Sequence, residues 1–157
     1  MKINVSSFFD AIRTNNLVDV ENSLKTQPEL VSSRDERGST PLILATYYGN
    51  MEVTKLLLDY NANVNEKDSS GNTPLMGVCF KGYNAIAAFL IKNGADVNVI
   101  NESGATPLIY ASTFNKESII SLLLVENADK DVKDQRGNRA LEHAKMQGFD
   151  HLIALLS

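Results

Sequence analysis

Three side chains in this chain of 157 residues could carry reactive chemistry, one cysteine and two histidines. Cys79 lies in the stretch "GNTPLMGVCFKGYNA" at Gly71 to Ala85, which also holds a glycine, Gly77, inside an expected helix. A cysteine nucleophile needs a base beside it to reach the thiolate. The two histidines, His143 and His151, fall far along the chain, so Cys79 reads as a buried, inert thiol. A phosphate-cradling loop would need a preceding strand and a Gly-Lys-Ser/Thr ending, and neither accompanies Gly77. His143 and His151 stand beside Glu142 and Asp150, which are metal-ligand types. Their spacing matches no HExxH-like arrangement, and Gly148 splits them between two helices. Carboxylates such as Glu52, Asp59 and Glu126 read as exposed helix faces, with no pair set for acid–base work. No catalytic residue, cofactor or metal is expected.

The elements that position these residues follow a fixed interval. Segments beginning at Asp35, Asp68, Asn101 and Asp134 align without gaps as "DERGSTPLILA", "DSSGNTPLMGV", "NESGATPLIYA" and "DQRGNRALEHA". Gly38, Gly71, Gly104 and Gly137 recur every 33 residues, as do Leu42, Leu75, Leu108 and Leu141. Such an interval signals stacked supersecondary units. The Asp-x-x-Gly opening is a tight turn, with Asx bonding first and a left-handed backbone at glycine. Thr40, Thr73 and Thr106 are placed as N-caps, with Pro41, Pro74 and Pro107 at the first helical position. The first helix stops near Gly49, Gly82, Asn115 and Gly148. A second helix buries Val53, Leu56 and Leu57, or Ile86, Phe89 and Leu90, and ends at Asn61, Gly94 and Asn127. The segments "ANVNEKD", "ADVNVIN" and "ADKDVKD" then lead into the next turn as an extended hairpin. In the opening stretch, Gly77 is expected to make room for the Tyr110 ring of the following unit or for Val78. Cys79 aligns with the small residues Thr46 and Ser112.

This unit resembles the ankyrin repeat. The resemblance rests on Gly-x-Thr-Pro-Leu at 38–42, 71–75 and 104–108, on Ala45 and Ala111, and on "NANVN", "GADVN" and "NADKD" at the unit ends. It implies an all-α solenoid of helix-turn-helix units joined by β-hairpin-like turns. One domain, 1–157, is expected to divide into full repeats at 35–67, 68–100 and 101–133, between capping units at 1–34 and 134–157. The first unit is degenerate, with Ala11, Val20 and Leu24 as its apolar face, Asn15-Asn16 at the mid-unit turn and Pro28 as the break. Where the family often places histidine after Thr-Pro-Leu, this chain has Ile43, Met76, Ile109 and Glu142, so apolar packing must compensate. In the last unit Arg139-Ala140 replaces Thr-Pro and the second helix is short, so fraying is expected there. Lys130 stands where Val64 and Val97 stand, its ammonium expected in water.

Composition narrows the partners. Net charge is −4 and no segment of the repeat is net basic, so no nucleic acid or anionic membrane is implied. A lone cysteine fits a reducing compartment, and a cytoplasmic location is expected. The chain starts without a signal-like apolar run, and no stretch is long and apolar enough to span a membrane.

Stacked units of this kind curve, and the family's resemblance implies a partner on the concave face of turn tips and first helices. The tip residues in register are Glu36, Arg37 and Ser39, Ser70 and Asn72, Ser103, and Arg136. Before the mid-unit turn come Tyr47, Tyr48, Phe80, Lys81, Phe114 and Met146, and just after it Tyr83 and Lys116. Aromatics at positions expected to face water are the enriched anchors of interfaces. The expected function is a non-enzymatic protein-interaction module, monomeric by itself. The alternatives are a ligand- or metal-responsive regulator using the aromatic face or the His143/His151 end, and an inhibitory or structural subunit of another enzyme.

Overall fold

The computed structural model describes residues 2–157; Met1, the first residue of the expected capping unit, lies outside the described residues. These fold as ten α-helices in five antiparallel pairs, with no strand among the described residues. The pairs are α1 (Val5–Arg13) with α2 (Leu17–Thr26), α3 (Pro41–Tyr47) with α4 (Met51–Asp59), and α5 (Pro74–Lys81) with α6 (Asn84–Lys92). They continue with α7 (Pro107–Thr113) and α8 (Glu117–Val125), then α9 (Ala140–Gln147) and α10 (Asp150–Leu156). A 3-10 turn at Pro28–Ser32 closes the first pair. First helices touch along the whole array, α1 to α3 to α5 to α7 to α9.

The local chemistry behind these boundaries is visible in each copy. Asp68 Oδ1 accepts the N–H groups of Ser70 and Asn72 at 2.9 Å each, and Asp35, Asn101 and Asp134 do the same in their turns. The mid-unit turn is left-handed at Gly49, Gly82, Asn115 and Gly148, and Asn15 takes that role in the first pair with φ 54°. Asn61, Gly94 and Asn127 end the second helices in the same conformation. Thr40 and Thr106 cap α3 and α7 by accepting the N–H of Ile43 and Ile109. Thr73 does not: its hydroxyl is buried without a partner, and the first turn of α5 is stretched, with Gly77 N–H 3.4 Å from Thr73 O.

The expected hairpins contain no strand ladder. Adjacent tips meet through single backbone bonds, Glu102 N–H to Ser70 O at 3.1 Å and Gln135 N–H to Ser103 O at 3.0 Å. Side chains do the rest of the stitching. Asn65 Nδ2 donates to Gly94 O at 3.1 Å while its Oδ1 accepts Asp96 N–H at 2.8 Å. Asn98 repeats this toward Asn127 and Asp129. Arg34 donates to Lys67 O, and Lys67 to Ile100 O one unit on.

The core runs between the two helix layers. Val53 and Leu57, Ile86 and Leu90, and Ile119 and Leu123 are buried, while Leu56 and Phe89 are only half-buried. Of the residues where the family's histidine would stand, Met76 and Ile109 are buried, each burial contributing roughly 1.5–3 kcal/mol, while Ile43 and Glu142 are half-buried. In the last pair Leu152 and Leu156 are buried, and Lys130, exposed as expected, donates from Nζ to Ser157 O at 2.9 Å.

Candidate interaction face

The C-terminal ends of the first helices converge on a line of rings. Tyr47 ends α3, Phe80 sits in the last turn of α5, and Phe114 caps α7. The Tyr47 and Phe80 planes are parallel within 3° at 6.4 Å, and Phe80 meets Phe114 edge-on at 4.6 Å. Tyr48 stands edge-on to Tyr47 at 5.8 Å, and Tyr110 stacks on Phe114 at 6.4 Å. Ring pairs in such geometries contribute about 0.5–1.5 kcal/mol beyond area burial. The mutual packing leaves them well short of burial: Phe80 is 38% exposed and Tyr48 47%. Lys81 lies with Nζ 4.8 Å from the centre of the Tyr47 ring, within cation–π reach.

Beside this rail a groove of about 840 Å³ opens between the tips and the first helices. Arg37 and Ser70 line it from the tips, Tyr47 and Tyr48 from α3, and Phe9 and Arg13 from α1. Arg13 is held by Asp10 at 2.9 Å and Asp35 at 3.3 Å, which fixes α1 against the first tip.

The positions named from the sequence separate into two sets. Tyr47, Tyr48, Phe80, Phe114 and Met146 are exposed, as are Glu36, Arg37, Ser70, Ser103 and Arg136 at the tips. Ser39 and Asn72 are half-buried. Asn72 is turned inward because its Oδ1 accepts Asn101 Nδ2 at 2.8 Å. Tyr83 and Lys116 are half-buried because each covers the mid-unit turn of the preceding pair. A Cβ at Gly49 would stand 3.1 Å from the Tyr83 ring, and one at Gly82 would stand 3.0 Å from Lys116 Cδ. Tyr110 and Arg13 also belong to this face, with Phe9 buried beneath the groove. In the sequence the column holding Tyr110 shows only a spread of side-chain volumes, and the first unit matches the repeat too weakly to place α1.

Gly77 is packed differently from expectation. Tyr47 of the preceding pair covers it, with Cδ2 3.6 Å from where a Cβ would stand. Tyr110 is drawn away by its hydroxyl, which accepts Asn101 Nδ2 at 3.0 Å.

The reactive candidates are each engaged elsewhere. Cys79 is fully buried among apolar residues, and burial pushes its thiol far up from the ordinary value. Thiolate is the reactive form. Native protein at mildly alkaline pH is therefore expected to leave an aromatic disulfide reagent unreacted until denaturant is added. Reaction at the rate of a free cysteine would contradict this. His143 Nε2 is 2.7 Å from Asp134 Oδ2, the same nine-residue reach by which Tyr110 meets Asn101. Burial raises the Asp134 carboxyl, but hydrogen bonds from Asn138 N–H, His143 and Arg136 N–H outweigh it and leave the pKa lowered. Glu142 is bound by the Arg139 guanidinium at 2.6 Å and by Arg139 N–H, which pull it down to about 2. His151 meets Asn115 at 2.6 Å. Glu142, His143 and His151 thus point to three different partners. No group of three His, Cys, Asp or Glu side chains among the described residues could hold a metal ion. No helix among these residues is long and apolar enough to cross a membrane.

Comparison with known proteins agrees with this architecture. No curated protein matches the chain. The family model for ankyrin repeats, in three copies, matches residues 8–101 and again 79–157. That match takes in the first helix pair, which the repeat register reaches only weakly. Ankyrin repeats are protein–protein interaction modules, typically without catalytic activity. With matched segments, five helix pairs and Asx-closed tips in agreement, the chain belongs to the ankyrin repeat family.

Proposed function

We propose that this chain is a non-enzymatic interaction module, a single array whose partner protein seats on the face formed by first helices and tips. The observation that carries this reading is the aromatic rail. Tyr47, Tyr48, Phe80 and Phe114 form one continuous apolar strip across three helix pairs and remain more than a third exposed. Strips of rings left open to water mark protein interaction sites, and a face spanning several units can supply the ~800 Å² per partner of a standard interface. The tips beside it carry both signs of charge, which suits register and specificity more than raw attraction.

The test is the triple variant Tyr47→Ala, Phe80→Ala, Phe114→Ala in the native cell. It is expected to lose the partner that wild type co-purifies after cross-linking, while its far-UV circular dichroism stays that of wild type. Truncation of an interface anchor costs about 2 kcal/mol or more. A folded triple variant that retrieves the same partner at unchanged yield would move the site off this face.

A further inference from the structure

The rail has a charge asymmetry that says what kind of segment suits it. Two cations stand near the rail, Lys81 at the end of α5 over the rings and Lys116 at the start of α8. Lys81 Nζ lies 4.8 Å from the Tyr47 centroid and 6.0 Å from that of Tyr83. Lys116 runs along Gly82, the residue next to Lys81, its Nζ 3.3 Å from where a Gly82 Cβ would stand. Neither forms an ion pair among the described residues, unlike Arg13 and Arg34, which are held by Asp35 and Glu66. Glu117, the first residue of α8, lies exposed beside Lys116 in the chain and forms no ion pair with either lysine among the described residues. The chain as a whole carries a net charge of −4, so this is a local positive spot on an acidic molecule. At physiological salt the screening length is about 8 Å, so a bound group at the rail responds to these two lysines rather than to distant carboxylates.

We infer that the rail receives a segment of a partner protein in which an acidic side chain neighbours large apolar ones. The apolar side chains lie on Phe80 and Phe114, and the carboxylate sits between Lys81 and Lys116. This rests on the partner-binding reading above and assigns its chemistry. A carboxylate there gains charge-assisted hydrogen bonds from the two ammonium groups, of which that of Lys81 is partly shielded by the rings. A basic side chain in the same place meets two like charges. Discrimination of this kind comes from the repulsive pair as much as from the attractive one.

The test selects a displayed library of random twelve-residue peptides on the purified chain. Asp or Glu adjoining Phe, Leu, Met or Trp is expected in the recovered peptides. Their affinity is expected to fall at least tenfold for Lys81→Glu with Lys116→Glu, and to hold for Lys92→Glu, a cation of the neighbouring helix. Selection on the charge-reversed variant is expected to replace the acid with Lys or Arg. A consensus without acids, no consensus, or an affinity indifferent to the reversal overturns the inference. Peptides that need Phe80 and Phe114 yet ignore the lysines overturn it while leaving the interaction reading intact. A chain that sediments as a dimer, dissolved by Phe80→Ser with Phe114→Ser, also overturns it, because a second copy then covers the rail.

Discussion

Gly104→Ala is expected to cost about 2–4 kcal/mol, while Gly77→Ala, the same chemical change on the neighbouring helix, is expected to gain about 0.5–1 kcal/mol. Gly104 has φ 77°, a left-handed backbone that a Cβ strains. Its Cβ would stand 3.0 Å from Gln135 N and 3.1 Å from Asp134 Cα, and both of those atoms are backbone of the next tip. Relief requires moving that tip, which breaks the Gln135 N–H bond to Ser103 O. Gly77 lies inside α5 outside the left-handed region, with its N–H bond to Thr73 O already long, and its Cβ would only touch the Tyr47 ring at 3.6 Å. Thermal melts give the readout, with about 2–4 °C per kcal/mol for a chain of this size. A Gly104→Ala variant melting within a degree of wild type would show that the tips carry none of the stack.

Asn101→Ala is expected to lower stability by about 2–3 kcal/mol, and Asn101→Asp by roughly 1 kcal/mol or less. Asn101 is a buried polar residue with every bonding position in use. Its Oδ1 accepts Ser103 N–H at 3.0 Å, Ala105 N–H at 2.9 Å and Ser103 Oγ at 2.9 Å. Its Nδ2 donates to Asn72 and Tyr110. Alanine leaves Ala105 N–H without its acceptor in a buried place and loosens the Ser103 bonds at the surface; a buried donor left unpaired costs about 1–3 kcal/mol. Aspartate keeps the acceptor, as Asp68 and Asp134 do in their turns, and the Asn72 amide can rotate to face it. Chemical denaturation of the two variants separates the cases. Equal losses would mean that the turn, rather than its satisfied donors, sets the energy.

The repeat was legible because its punctuation is local. Turn glycines, Asn at left-handed caps and Pro after Thr each impose a backbone conformation within a few residues. Their period of 33 therefore gives the helix boundaries directly. What the sequence did not yield is what happens between units. Tyr47 rather than Tyr110 covers Gly77, because a phenol with a buried amide in reach follows the hydrogen bond. Thr73 has the cap position without the cap bond. The column Leu44, Gly77, Tyr110 and His143 reads as variable in sequence, yet in two copies it supplies the side chain that braces the turn residue nine positions earlier. On the candidate face, register alone found the rail. It could not show that Tyr83 and Lys116 are partly covered by the preceding unit.

The rungs formed by Asn65 and Asn98 have a counterpart that ends them. At the matching place in the third full repeat stands Asp131, exposed, whose own N–H is taken by Asp129 Oδ1. An amide both gives and receives a hydrogen bond, whereas a carboxylate only receives. The third repeat therefore offers the last unit no counterpart of the bonds that Asn65 and Asn98 give to Gly94 O and Asn127 O. The last junction lacks that side-chain rung and is tied instead by Gln135 N–H on Ser103 O and by Lys130 reaching Ser157 O, so the end pair is the one most easily peeled from the array.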